Sequence, residues 1–75
     1  MFSFSYAGKA YTYADRVTLL VEKANGSASY TLSKGFSNAP DAIRHFDWLA
    51  VGRGQKKRLT MISGGKRTVI ARVSG

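Results

Sequence analysis

Cysteine is absent from this sequence, and the other residues that build catalytic or metal centres are scarce. His45 is the single histidine, and the acids are limited to Asp15, Glu22, Asp41 and Asp47. The lack of cysteine excludes disulfide bonds and thiolate metal sites. A zinc site needs several histidine, cysteine or carboxylate ligands in one place, which so short a set makes hard to assemble. We therefore expect neither a metal nor a cofactor.

Long apolar runs are also missing. No stretch approaches the roughly 20 apolar residues of a membrane-spanning helix, and the first residues lack the basic and apolar regions of a signal peptide. We therefore expect a cytoplasmic protein with no membrane partner. The length predicts a single domain over residues 1–75. Its core should be thin, because a chain of this size buries only about 60% of its unfolded surface.

Positive charge is what the sequence has in excess. The net charge is +8, and residues 51–75 contain seven cations and no acid, whereas residues 1–50 contain five cations and all four acids. This asymmetry indicates a polyanionic or acidic partner for the last third of the chain, and a solvated, solubilising surface is the alternative. The candidate contact residues are Arg53, Lys56, Lys57, Arg58, Lys66, Arg67 and Arg72.

Aromatic residues alternate with small ones at the N-terminus, which is the period of a half-buried strand. Gly8-Lys9 fits a two-residue hairpin turn that begins with glycine, and outward pairing then sets Tyr6 opposite Tyr11 and Phe4 opposite Tyr13. The shared aromatic face makes this register self-consistent. We expect most of these rings to pack in the core, and a base-stacking platform is the alternative.

A second hairpin is predicted at Asn25-Gly26, because this pair supplies the positive φ angles that a tight turn needs. Outward pairing sets Val21 opposite Tyr30 and Leu19 opposite Leu32. Between the two hairpins Asp15 interrupts the alternation, which predicts a bulge or bend near Ala14-Asp15.

One helix is predicted over residues 39–51. Asn38 suits the N-cap, Pro40 suits the first turn, and Asp41 favours the positive end of the helix dipole. Gly52 would supply a left-handed C-terminal stop. The apolar residues recur at helical spacing and should face the sheet. They are Ala42, Ile43, Phe46, Leu49 and Ala50.

The last segment predicts a hairpin with Gly64, Gly65 and Lys66 in its loop. One face would then carry Leu59, Met61, Val69, Ala71 and Val73, and the other Arg58, Thr60, Ile62, Thr68, Ile70 and Arg72. Arg58 would lie opposite Arg72, and like charges facing across strands indicate an anion between them. The fold class is α+β, a two-layer antiparallel sheet in the order β-β-β-α-β-β with one helix packed on one face.

Two surfaces are candidate binding sites. The 52–58 segment reads as a flexible basic loop whose glycines let the backbone approach phosphates and whose cations neutralise them. Trp48 falls on the helix face opposite the apolar stripe, with Arg44 one turn away and able to stack on its indole. An exposed tryptophan beside an arginine is typical of a partner anchor. The alternative is that Trp48 packs beneath the 52–57 loop.

Catalysis has little support in the sequence. His45 and Asp41 lie four residues apart and could touch on one helix face, but such a pair is more often a surface contact than a catalytic one. A ribonuclease using His45 with nearby cations is the best enzyme alternative. We expect the chain not to be an enzyme.

In the order of its elements, carried by the segments Tyr6–Tyr13, Asn25-Gly26, Asn38–Val51 and Leu59–Val73, the chain resembles the small phage-encoded anti-CRISPR proteins. This resemblance implies binding to a protein–RNA effector and exclusion of target DNA, without catalysis.

Two functional hypotheses follow from the sequence. The first is a nucleic-acid-binding module that contacts phosphates through the basic loop and hairpin. The second is a phage or mobile-element inhibitor that binds a host protein or ribonucleoprotein, with Trp48 and Arg44 as its anchor. Either way, the partner is nucleic acid or an acidic or ribonucleoprotein surface, and an exposed final strand would allow a homodimer.

Overall fold

The computed structural model describes residues 2–13 and 16–75, so the bend predicted near Ala14-Asp15 lies outside the described residues. The α+β class is confirmed, with four strands before the helix instead of the three predicted. The elements are β1 (Phe2–Tyr6), β2 (Lys9–Tyr13), β3 (Thr18–Asn25), β4 (Thr31–Phe36), α1 (Ala39–Trp48), β5 (Gln55–Ser63) and β6 (Lys66–Ser74).

Two layers make up the fold. Strands β3 to β6 form an antiparallel sheet in the order β4-β3-β5-β6, and β1 and β2 form a separate hairpin. Helix α1 and the hairpin pack side by side on one face of this sheet, here called the inner face. The core between the layers is built around Leu19, Val21, Phe46 and Leu59, all fully buried. No helix or hairpin covers the opposite, outer face in the part of the chain that the structure describes.

The N-terminal hairpin turns one residue earlier than predicted. Ala7 and Gly8 occupy the turn with φ angles of 52° and 79°, so Phe4 pairs with Tyr11 instead of Tyr13. The paired rings stack with centroids 5.4 Å apart. Both turn residues adopt the left-handed region, as a type I′ turn requires, which is the geometry that best matches strand twist. The register differs from the predicted one by two residues. Because side chains alternate along a strand with a period of two, the aromatic residues still share one face.

The pairing predicted around Asn25-Gly26 is wrong. Residues 26–30 form a longer connection, so Val21 pairs with Lys34 and Leu19 with Phe36. The Gly26 N–H donates to the Gly54 carbonyl, 2.6 Å away, in the turn before β5. This contact ties the connection to the neighbouring strand pair, which a local turn rule does not anticipate.

Helix α1 begins as predicted and ends three residues early. The Asn38 side chain accepts a hydrogen bond from the Asp41 N–H at 3.0 Å, which is a regular N-cap. The helix ends at Trp48, with Leu49 extended at the C-cap, so Gly52 is not its stop. The terminal carbonyls are satisfied instead by Lys57, whose amino group donates to the carbonyls of Phe46 and Leu49.

The C-terminal hairpin turns on Gly64 and Gly65 alone, and β6 contains a bulge at Ile70. The bulge turns the Ile70 side chain into the core and leaves Val69 exposed, so the predicted faces of these two residues are exchanged. The Tyr11 hydroxyl donates to the Ile70 carbonyl at 3.3 Å. A hydroxyl from the hairpin thus satisfies a backbone group at the point where the strand ladder is interrupted.

Candidate nucleic-acid interface

The 52–58 segment is not a flexible loop, because β5 begins at Gln55 and pairs with β3 from Gln55 to Ile62. The turn before it is fixed by the Gln55 side chain, which accepts from the Gly52 N–H at 2.9 Å and donates to the Asn25 side chain at 3.1 Å. Strand alternation therefore decides where each cation points. Of the predicted loop cations, only Arg53 lies in the turn, where it is exposed.

Four of the predicted cations share the outer face of the sheet. Arg58 pairs with Arg72 across β5 and β6, as predicted, and Lys56 lies two residues before Arg58 on the same face. Arg67 pairs with Ile62, which places it on this face near the hairpin tip. We call these four residues, Lys56, Arg58, Arg67 and Arg72, the outer-face cations. Lys66 is exposed at the hairpin tip, where it pairs with Ser63 and is directed to the opposite side of the sheet from Arg67.

The Glu22 carboxylate offsets the electrostatic repulsion between the paired residues Arg58 and Arg72. The Arg58 Nε and Nη2 atoms donate to the two Glu22 carboxylate oxygens at 3.0 and 2.9 Å. The Thr60 hydroxyl donates to the same carboxylate at 2.9 Å. The Arg58 hydrogen bonds lower the Glu22 pKa most strongly, and the bond from Thr60 and the charge of Arg67 lower it further. The anion that the facing arginines indicated is therefore supplied by the chain itself.

Tyr30 is a residue of this surface that the sequence reasoning missed. It was predicted to face Val21, but its ring lies on the outer face under two cations. The Arg58 guanidinium carbon is 4.1 Å from the ring centroid and the Lys56 amino nitrogen is 4.7 Å away. These cation–π contacts hold both side chains over the sheet. Tyr30 precedes β4, which begins at Thr31, and the hairpin register predicted from Asn25-Gly26 gave no signal of this position.

Lys57 does not belong to the binding surface, which corrects the prediction. It points to the inner face, is 7% exposed, and lies 4.3 Å from the Phe46 ring centroid. Its charge is used at the negative end of the α1 dipole, where its amino group caps the helix carbonyls. The alternation of a β-strand separates it from Lys56 and Arg58, although the three are consecutive in sequence.

A second surface lies between α1 and the edge strand β4. Trp48 is 76% exposed there, so it does not pack beneath the 52–57 loop. Its ring lies beside His45, with centroids 5.6 Å apart, and Arg44 reaches Asp41 at 3.3 Å instead of being held on the indole. These side chains line an open cleft of about 450 Å³, which we call the α1–β4 cleft. Its lining residues are Lys34, Phe36, Asp41, Arg44, His45 and Trp48.

The Asp41 carboxylate is occupied by contacts other than His45. It accepts hydrogen bonds from the Asn38 side chain at 3.0 Å and from Arg44 at 3.3 Å. Among residues 2–13 and 16–75, no group of three or more histidine, cysteine or acidic side chains is placed to hold a metal ion. Across the same residues, α1 is too short to cross a bilayer.

Comparison of the chain with protein-family models, with curated proteins and with solved structures gives no match. The outer face and the α1–β4 cleft are therefore the features of the molecule that indicate a function.

Proposed function

We propose that this domain is a small, non-enzymatic nucleic-acid-binding module. The observation that carries the proposal is that the outer face presents Lys56, Arg67 and Arg72 with no helix or hairpin over them in the described residues. Glu22, a buried acid of this face, is already paired with Arg58. The remaining cations therefore give the surface a net positive charge that suits a phosphate backbone.

The arrangement supports contact with phosphates and not the reading of base sequence. The outer-face cations extend from a flat sheet, whereas base-specific contacts require side chains or elements that enter a groove. Arg53, exposed in the turn before β5, and Lys66, exposed at the hairpin tip, add positive charge at the two ends of β5. The proposed phosphate contacts are therefore Lys56, Arg67 and Arg72 with Arg53 and Lys66 at the ends, whereas Lys57 is buried and Arg58 is paired with Glu22.

The test is a charge-removal variant with a matched control. The triple variant Lys56→Ala, Arg67→Ala and Arg72→Ala removes three outer-face charges. The control variant Lys9→Ala, Arg16→Ala and Lys23→Ala removes three charges from elsewhere. We expect the outer-face variant to bind a fluorescent oligonucleotide about tenfold or more weakly at low salt, and the control to bind nearly as the parent does.

Equal losses of affinity in both variants would show that net charge, and not this surface, drives binding. If the parent protein binds neither DNA nor RNA at low salt, the proposal is wrong.

A phage or mobile-element inhibitor similar to the anti-CRISPR proteins is the alternative proposal. The exposure of Trp48 favours it, since an exposed tryptophan is a frequent energetic centre of protein interfaces. This alternative would be supported by capture of a single host protein in a complex that resists nuclease treatment. The binding free energy of that complex should weaken by about 2 kcal/mol or more in Trp48→Ala.

A homodimer through an edge strand stays a prediction. Strand β6 is an edge of the sheet, as the sequence suggested, and so is β4. Both strands contain a register irregularity, at Ile70 in β6 and opposite Val21 and Glu22 in β4. Bulges of this kind interrupt the ladder that a second chain would extend, and they are a common protection against edge pairing.

A further inference from the structure

Three rings form a row along the α1–β4 cleft. The Phe36 and His45 centroids are 5.4 Å apart, and those of His45 and Trp48 are 5.6 Å apart. Trp48 lies at the solvent end of the row, with most of its surface exposed. Such a row ends in an open π-face, and a further planar group can stack there.

Cations stand on two sides of this row. The Lys34 amino nitrogen lies 5.3 Å from the Phe36 ring centroid. Arg44 is exposed on the helix beside Trp48, and its partner Asp41 is the one acid among the cleft residues. The Asp41 carboxylate also accepts a hydrogen bond from the Asn38 side-chain amide, and the Asp41 N–H donates to the Asn38 side-chain oxygen, so the charge of Asp41 is directed toward the helix N-terminus. An aromatic surface flanked by cations suits a ligand that is planar and anionic at once.

The cleft also contains an unpaired polar atom. His45 Nε2 is shielded from solvent and is the buried side-chain polar atom without a hydrogen-bond partner among the described residues. A buried polar atom without a hydrogen-bond partner destabilises the state that contains it. A polar group of a ligand that enters the cleft, such as a sugar hydroxyl or phosphate oxygen beside the stacked base, would satisfy this nitrogen.

We infer that the α1–β4 cleft binds an unpaired nucleobase of a DNA or RNA strand, with the base stacked on Trp48 and the flanking phosphates near Lys34 and Arg44. The inference rests on the proposed function and adds to it a preference for single strands. In a duplex both faces of each base are already stacked, so Trp48 would gain no partner without disrupting the helix. Stacking on an aromatic side chain is tolerant of base identity, because every base has a π-face.

Trp48 is the single tryptophan of the chain, so its fluorescence reports directly on the cleft. The experiment titrates the full chain with dT12, with U12, with a 12-base-pair duplex and with a 12-residue poly-glutamate peptide. We expect both single strands to quench the fluorescence, and the duplex to bind without comparable quenching. The two single strands distinguish DNA from RNA as the preferred source of the base.

Variants of Trp48 distinguish a loss of base stacking from a loss of folding. Trp48→Ala should weaken single-strand binding about fivefold or more and leave duplex binding unchanged, and Trp48→Phe should restore part of the loss. Leu32→Ala is the control, because it also removes a largely exposed apolar side chain, at 60% exposure, but outside the cleft. It should bind like the parent, and circular dichroism should show that all the variants are folded.

Failure of the cleft inference and failure of the proposed function would give different results. Oligonucleotide binding without quenching, or with equal affinity in Trp48→Ala and Leu32→Ala, overturns the cleft inference and leaves the proposed function standing. No binding of any oligonucleotide overturns both. Quenching by poly-glutamate alone shows that the cleft recognises an acidic peptide, which contradicts the inference in favour of a protein partner.

Discussion

At the scale of single residues, two buried charges, Glu22 and Lys57, decide how the basic third of the chain is used. Glu22 binds Arg58 on the outer face, and Lys57 caps α1 on the inner face. Both interactions join residues far apart in sequence. A count of charges could predict a basic surface. It could not predict that Lys57 is absent from that surface or that Glu22 neutralises Arg58, because both depend on how the strands and the helix pack.

Glu22 should make the fold sensitive to acid. Its pKa is lowered in the folded state, mainly by the Arg58 hydrogen bonds, so its contribution is fully present above its ordinary pKa of 4.5. That contribution is lost as the pH falls through the lower, folded-state pKa. Glu22→Gln should reduce the free energy of unfolding at pH 7 by about 1–3 kcal/mol, because Arg58 keeps its burial and loses its counter-charge.

Urea unfolding at pH 7 and at pH 3 measures this effect. The stability difference between the parent and Glu22→Gln should shrink at the lower pH. A difference that is independent of pH would contradict the assignment.

Lys57 should be needed for stability and not for binding. Lys57→Met keeps the apolar length of the side chain but leaves the carbonyls of Phe46 and Leu49 without their donor. We expect a loss of about 1–3 kcal/mol in urea unfolding and a frayed end of α1. Oligonucleotide affinity, measured on the folded variant, should be nearly unchanged. A loss of affinity as large as that of the triple variant of Lys56, Arg67 and Arg72 would show that Lys57 does belong to the binding surface.

At the scale of elements, local signals predicted the strands and the start of α1 well. The register of the first two hairpins was wrong, and that of the third was correct from Leu59–Ala71 to the strand ends but wrong between the bulge at Ile70 and the turn. Asn38, Pro40 and Asp41 act within one helical turn, so sequence was sufficient for them. Hairpin register depends in addition on the elements against which the two faces of the hairpin pack. The bulge at Ile70 is formed where Tyr11 of another hairpin accommodates it, and no turn rule contains that information.

The turn at Ala7-Gly8 gives a test at this scale. Ala7 adopts a φ of 52°, a region that costs a residue with a Cβ roughly 1–2 kcal/mol. Asparagine tolerates this conformation, and Asn-Gly is the preferred type I′ pair. Ala7→Asn should therefore raise the free energy of unfolding by about 0.5–1 kcal/mol in chemical denaturation. A destabilised variant would argue for the turn at Gly8-Lys9 that the sequence first suggested.

At the scale of the whole molecule, the domain is an elongated body, 38 Å long and 17 Å thick, with different chemistry on its two sides. The outer face carries cations from β5 and β6, and the α1–β4 cleft carries the exposed Trp48 beside His45 and Phe36. The sequence indicated the cations, Trp48 and Arg44, but not the other residues of the cleft. It could not show that they occupy separate surfaces, because that division follows from the packing of α1 on one side of the sheet.

The salt dependence of oligonucleotide binding is the sharpest test of whether the exposed cations contact phosphates. If three to five exposed cations each contact a phosphate of a single strand, the logarithm of the association constant should fall against the logarithm of salt concentration with a slope of about −2 to −3.5. The slope of the Lys56→Ala, Arg67→Ala and Arg72→Ala variant should be shallower by about 2, and the control variant should keep the slope of the parent. A slope near zero for the parent, or the same slope for all three proteins, would contradict the account.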